Sequence, residues 1–194
     1  MIPTTLHRAL ARACGDAGVI VDPDRLVVYE SDGLTAHRHP PSAVALPRTT
    51  EEVQAVVRAV TDHGLPVVPR GAGTGLSGGA VAVEGGVIVG TARMNRIIEL
   101  DPGSRRAVLQ PGVINAHLSE AAKVHGLYYA PDPSSQPTCT IGGNVAENSG
   151  GPHCLKYGVT SRYIRGLSVV LADGSLVRLG GMAGEEDGYD LLGL

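Results

Sequence analysis

Apolar positions along the first half of the chain follow two rhythms. Leu6, Ala9, Leu10 and Ala13 recur at helical spacing and stop at Gly15, which predicts a short amphipathic helix over 4–14. In "PRTTEEVQAVVRAVTDHGLPVVPRG" the apolar face is Val53, Val56, Val57 and Val60; Thr49 with Glu52 forms a capping box, and Gly64 is the stop. That helix delivers the chain into a strand at 66–68. Beyond a glycine-rich loop, "GGVIVGT", "NRIIELD" and "RRAVLQPGV" have the length and branched content of strands, with Asp101-Pro102-Gly103 as a turn. "INAHLSEAAKVHG" predicts another helix, closed by Gly126 and feeding a strand in "LYYAP". Helix, glycine stop and strand therefore occur twice, which implies two αβ lobes side by side, although no residue-level repeat is visible. "IRGLSVVLADGSLVRLGG" predicts a strand pair closed by the two-residue turn Asp173-Gly174.

Two stretches fit neither rhythm. The first, "VVPRGAGTGLSGGAVAVEGGVIV" (67–89), has glycine at 71, 73, 75, 78, 79, 85 and 86. Each ordered glycine costs about 0.5–1 kcal/mol relative to alanine, so a ligand-free turn has little use for so many. Gly73-x-Gly75-x-x-Gly78 satisfies the dinucleotide pattern G-x-G-x-x-G, but the helix that pattern requires is absent: "GAVAVEGGVIV" reads as a strand. Glu84 is also only six residues on, where an acidic ribose partner is expected ~20 away, and no Gly-Lys-Ser/Thr of a P-loop follows. An NAD or nucleoside-phosphate protein is therefore disfavoured. Successive peptide N–H groups in such a loop form an anion-binding concavity without any helix, so the stretch is read as a pyrophosphate cradle, with Arg70 able to add a charge-assisted bond. The plain alternative is a glycine-rich turn with no ligand.

The second stretch, 131–158, is a long irregular region with a short helical segment at 141–147. Its "TIGGNVAENSGG" combines small residues with the neutral hydrogen-bonding groups of Thr140, Asn144, Asn148 and Ser149, which suit a flat, polar-edged heterocycle such as a flavin. The alternative is an ordinary helix start with asparagine turns.

Composition narrows the classes. With 194 residues, 43% hydrophobic and 18% charged, the chain can bury one sizeable core or two smaller ones sharing an interface. A net charge of −3 with scattered Lys and Arg, and no Phe or Trp, argues against a nucleic-acid partner. The N-terminal residues carry Arg8 and Arg12 and no continuous apolar run, so neither a signal segment nor a membrane span is expected, and the cytoplasm is the expected location. Cys14, Cys139 and Cys154 have no zinc spacing and are expected to be reduced thiols. His117 and His125 lie on one predicted helix without a third ligand, so no metal is expected. His153, beside Cys154, reads as a loop residue.

At "PRGAGTGLSGGA" (69–80), "QPGV" (110–113), "PDPSSQPTCTIGGNVAENSGGPHCLKYGVT" (131–160) and "GLSVVLADG" (166–174) the sequence resembles the FAD-binding domain of flavoproteins related to vanillyl-alcohol oxidase. Within that group it is most similar to the FAD-binding subunit of glycolate oxidase and the D-2-hydroxyacid dehydrogenases. The resemblance implies a two-lobed α+β domain with FAD extended between the lobes. It suggests an N-terminal helix and connecting segment at 1–40, an FAD-binding domain at 41–181 with lobes of about 41–104 and 105–181, and a tail at 182–194 leading to an absent substrate domain. By position, Pro69, Arg70, Gly71, Ala72, Gly73, Thr74, Gly75, Leu76, Ser77 and Gly78 would hold the pyrophosphate, and Pro111 and Gly112 would line the cleft. Pro131, Ser135, Gly142, Gly143, Asn144, Ala146, Asn148, Gly150, Gly151, Tyr157 and Gly158 would lie along the flavin and ribityl chain.

Thr74 stands where relatives with covalently attached FAD have histidine, so non-covalent binding is expected. The resemblance implies oxidation of a small 2-hydroxy acid, glycolate or D-lactate-like, by hydride transfer to the flavin. Electrons would pass to an iron–sulfur subunit or a complementary chain. Family members continue past the motif matched by "GYDLLGL" (188–194) into a further FAD-contacting segment and a substrate domain, where the substrate carboxylate and the proton acceptor are met. No catalytic residue is therefore assigned here, and the isolated chain is expected to be inactive and to retain FAD weakly or not at all. The alternative is a non-catalytic module that needs a complementary chain.

Overall fold

Thr4–Cys14 forms helix α1, and Val19–Ile20 a two-residue strand, β1. A short helix α2 (Pro23–Leu26), strand β2 (Ala43–Ala45), helix α3 (Thr50–Asp62) and strands β3 (Val67–Arg70) and β4 (Val87–Gly90) complete the first lobe. These elements belong to a computed structural model that describes residues 2–181 and 189–193. The strands form one sheet in the order β1-β2-β4-β3, with β2, β4 and β3 parallel and β1 antiparallel. Both faces of the sheet are covered, as an apolar parallel sheet requires. Ala43, Ala45, Val87 and Val89 point to the side packed by Leu6 and Leu10 of α1 and Val56 and Val60 of α3. Val44 and Ile88 point to the other, with Ile20, Leu26, Val68 and Ala82. This alternation is the period-two geometry of a strand, and each fully buried Val, Leu or Ile contributes about 1.5–3 kcal/mol.

The start of α3 shows why the chain turns there. Thr49 Oγ1 accepts from the Glu52 N–H at 3.2 Å, and the Glu52 carboxylate reaches back to the Arg48 N–H at 2.7 Å, one residue before the usual capping-box partner.

The second lobe is thinner. Strands β5 (Ile97–Asp101) and β6 (Arg106–Leu109) make an antiparallel hairpin, followed by helices α4 (Asn115–Lys123), α5 (Ile141–Ala146) and α6 (Cys154–Tyr157). Strands β7 (Gly166–Val170) and β8 (Leu176–Gly180) form a second hairpin. The core here is Val113, Leu118 and Ile141, with Leu109, Tyr129 and Val145 packed against it. The closing hairpin is fastened to the first lobe: Gln54 Nε2 and an Arg58 guanidinium nitrogen both donate to the Gly174 carbonyl at 2.8 Å.

Three sequence expectations change. "LYYAP" is not a strand, because the Tyr129 N–H goes to the Ser119 hydroxyl on α4 at 3.2 Å rather than to a neighbouring strand. The helix–strand pattern therefore does not repeat, and the second lobe rests on hairpins. "GAVAVEGG" is not a strand either: the Gly86 N–H closes a turn on the Val83 carbonyl at 2.8 Å, and pairing begins at Val87. In the last hairpin the turn centres on Ala172-Asp173, closed by Leu171–Ser175 and Gly174–Leu171 hydrogen bonds, and Gly174 follows in the left-handed region at φ 77°. Of the 182–194 tail, residues 182–188 and 194 lie outside the described residues. Among the described residues, no helix is long and apolar enough to cross a membrane.

Candidate functional site

Strand β3 ends at the buried Arg70, and the glycine loop begins at the next residue. From Gly71 to Ser77 no backbone N–H donates to another described residue. Such a run of unpaired amides, half open to solvent, is the concavity that binds an anion. Arg70 does not project from the mouth of the loop. Its guanidinium turns inward, donates to the Ala80 carbonyl at 3.0 Å and lies 5.6 Å from the centre of the Tyr29 ring. Burial pulls it below its ordinary pKa, while Asp32 and Tyr29 oppose that shift. It therefore staples the two ends of the loop from behind.

The second glycine region faces the first. Thr140 caps α5 by accepting from the Gly143 N–H at 3.2 Å, and a side chain at Gly71 would collide with that Thr140 hydroxyl and stand 3.6 Å from Gly143 Cα. At the other end of α5, a side chain at Gly79 would stand 3.1 Å from Glu147 Oε1, and one at Gly75 would stand 3.7 Å from the same atom. The glycine loop and the α5 segment are therefore packed against each other at both ends of the helix.

The two walls differ in what they offer. In the second, the amides are largely committed: Gly142 N–H to Pro111 O at 2.8 Å, Ser149 N–H to Asn144 O at 2.9 Å, and Gly151 N–H to Cys154 Sγ at 2.8 Å. Its free donor is a side chain. Asn144 is 2% exposed, and its Nδ2 has no hydrogen-bond partner among the described residues, an arrangement that is costly unless a ligand completes it.

Other predicted positions fall around this junction. A side chain at Gly142 would stand 2.9 Å from Pro111 O, and the Gly112 N–H bonds Met94 O at 2.8 Å, so Pro111 and Gly112 form the floor beneath α5. The Pro131 carbonyl accepts from the buried Asn115 side chain at 3.1 Å. Asn148 takes the left-handed conformation, φ 47°, and its side chain accepts from the Ser161 N–H at 3.0 Å. Ala146 is exposed on α5, and Gly150 packs against the Cys154 sulfur. Pro69, Ala72, Leu76 and Ser77 are exposed, and Gly73 lies against the Arg70 guanidinium. No hydrogen bond joins Ser135, Tyr157 or Gly158 to the glycine loop. Ser135 belongs to the turn before Cys139, and Gly158, at φ 84°, ends α6 against Arg162. The His153 ring is hydrogen-bonded to the Asp132 carboxylate beside this wall.

Two residues that the hydrophobic pattern passes over take part. Asp32 is 6% exposed and bridges the Leu34 N–H at 2.8 Å and the Gly78 N–H at 2.9 Å. Gly33 donates its N–H to Gly75 O at 2.9 Å. The available sequence signal was the turn dipeptide Asp32-Gly33, isolated in a stretch without periodicity.

A run of unpaired amides, packed against a helix that carries a buried unpaired amide side chain, fits a cofactor with a diphosphate at one end and a hydrogen-bonding ring at the other. This is the class of two-lobed flavin-binding domains. The family model described as FAD binding domain matches residues 41–180, and the chain belongs to that family; FAD is its cofactor. The glycolate oxidase subunit GlcD of Escherichia coli is 46% identical over 191 residues, 98% of this chain and 38% of that protein. D-2-hydroxyglutarate dehydrogenase of Stutzerimonas stutzeri is 40% identical over 174 residues, 89% of this chain and 38% of that protein. Among solved structures, 4-ethylphenol oxidase from Gulosibacter chungangensis superposes with a TM-score of 0.81 at 28% identity, over 97% of this chain and 38% of the other. The chain thus spans under two fifths of the length of these relatives.

Proposed function

We propose that this chain is the FAD-binding part of an oxidoreductase acting on a small 2-hydroxy acid of the glycolate or D-lactate type. The observation that carries this reading is the placement of Gly71 against Thr140 and Gly143, which brings two sequence-distant glycine regions together. The relatives named for glycolate, D-2-hydroxyglutarate and D-lactate oxidation support the substrate class. The amides of 71–77 hold the diphosphate, and Pro111, Gly112 and the α5 segment bound the ring end, where Asn144 donates to the ring edge. Thr74 supplies no ring nitrogen for covalent attachment, so FAD is held by these contacts alone. When bound, FAD supplies the two-electron acceptor. The residues of this chain bind and orient it; the groups that meet the substrate carboxylate and take its proton are assigned to the remainder of an enzyme of the relatives' length. An iron–sulfur subunit or a complementary chain receives the electrons, and three free cysteines support a cytoplasmic setting.

Flavin fluorescence titration of the purified chain tests this. Saturable quenching with weak affinity is expected; a chain that takes up no FAD at micromolar concentration overturns it. In a second reading the chain is a module that is catalytic only with a complementary chain. Co-expression with that chain would then restore hydroxy-acid oxidation that neither part shows alone.

A further inference from the structure

The segment between α2 and β2 is joined to the glycine loop through the adjacent residues Asp32 and Gly33. Gly33 N–H holds Gly75 O, and the two oxygens of Asp32 each take a different amide, Leu34 N–H from the strap and Gly78 N–H from the loop. A buried carboxylate beside an anion-binding loop is unexpected on electrostatic grounds, since it repels a diphosphate. Here the buried Arg70 guanidinium, stapled to Ala80 across the same loop, offsets that charge.

Asp32 occupies the Gly78 amide and leaves those of 71–77 without internal partners. The loop is thereby held at Gly75 and at Gly78 while its amides from 71 to 77 keep no internal partner. Ordering the loop before binding removes part of the entropy that a mobile glycine segment would lose when the ligand arrives.

We propose that Asp32 is a positioning residue for the cofactor: its carboxylate, bridging Leu34 and Gly78, pre-shapes the glycine loop to receive the diphosphate. Asn at this position has one acceptor oxygen and sets an NH2 group against the second amide, so it breaks half of the bridge without changing size.

The inference rests on FAD being the ligand of this loop, so FAD and ADP titrations of the wild-type chain come first. Failure of both there defeats the cofactor reading itself and is distinguishable from failure of the Asp32 role. Given wild-type binding, Asp32→Asn is expected to weaken FAD and ADP equally, by about tenfold, and to lower the ligand-free melting temperature as well, because the broken bridge is buried. Unchanged or tighter binding overturns the proposal, because charge repulsion then outweighs preorganisation. Lower melting with unaltered affinity overturns it in favour of a purely structural role, and loss for FAD without loss for ADP places the effect away from the diphosphate. Gly33→Ala provides an independent arm. Its added carbon would stand 2.8 Å from Thr74 O and 2.9 Å from Gly75 O, so it displaces the strap from the loop, and it is expected to give the same paired loss.

Discussion

Gly71 and Thr140, 69 positions apart in sequence, are packed so closely that a single added carbon on Gly71 would run into the Thr140 hydroxyl. This hydroxyl is also the N-cap of α5. The two glycine regions are therefore one unit: moving either wall disturbs the other.

Gly71→Val tests that unit. The branched side chain must displace Thr140, and overpacking of this kind costs about 1–3 kcal/mol. Denaturant unfolding should show that loss, and flavin fluorescence titration should show weakened FAD binding. Thr140→Ala, which removes the cap, should lower stability by about 1 kcal/mol in denaturant unfolding.

Asn144 predicts a different signature. Its buried Nδ2 has no partner among the described residues, so Asn144→Ala should cost the ligand-free protein less than a normal core truncation, since an unsatisfied donor goes with it. FAD affinity should nevertheless fall. Thermal unfolding with and without FAD separates the two effects; a variant that loses FAD-free stability but keeps its affinity would show Asn144 to be structural.

Cys14 gives the pH dependence. It is 5% exposed, and burial, reinforced by Glu52 and opposed by Arg93, raises its thiol from an ordinary 9.0 to about 11. The unfolded chain therefore ionises this group first. Its contribution to stability is intact below pH 9 and is lost as the pH rises towards 11. Burial also raises the half-buried Tyr129 to about 12, which extends the loss upward. Urea unfolding should show stability falling across pH 9–11, with a shallower fall in Cys14→Ala. At pH 8 a thiol reagent should modify Cys154, which is only half-buried, before Cys14.

The clasp between lobes is testable at Arg58 and Gln54, which share the Gly174 carbonyl. Replacing both with alanine leaves that carbonyl to solvent and should loosen the β7–β8 hairpin by about 1–2 kcal/mol. Earlier proteolysis or faster amide exchange in 166–180 would report it.

Much of the first lobe follows from sequence alone. The valine face of α3, its Thr49 cap and the strands read at 66–68 and in "GGVIVGT" obey local rules of spacing, and neighbours in the chain suffice to decide them; β1 and β2, two and three residues long, are too short to be read that way. The glycine runs likewise declare a need for close backbone approach, and the absence of a helix after Gly78 follows from residues within the same stretch. What faces what is not a local property. "LYYAP" has the composition of a strand, but Ser119 takes its amide; Arg70 looks like a ligand-facing cation, but Ala80, Tyr29 and Asp32 draw it inside; and Asp32-Gly33 looks like an ordinary turn until it is seen on the loop it holds. These choices depend on hydrogen-bond partners and desolvation set by segments tens of residues away, energies that exist only once the lobes have packed.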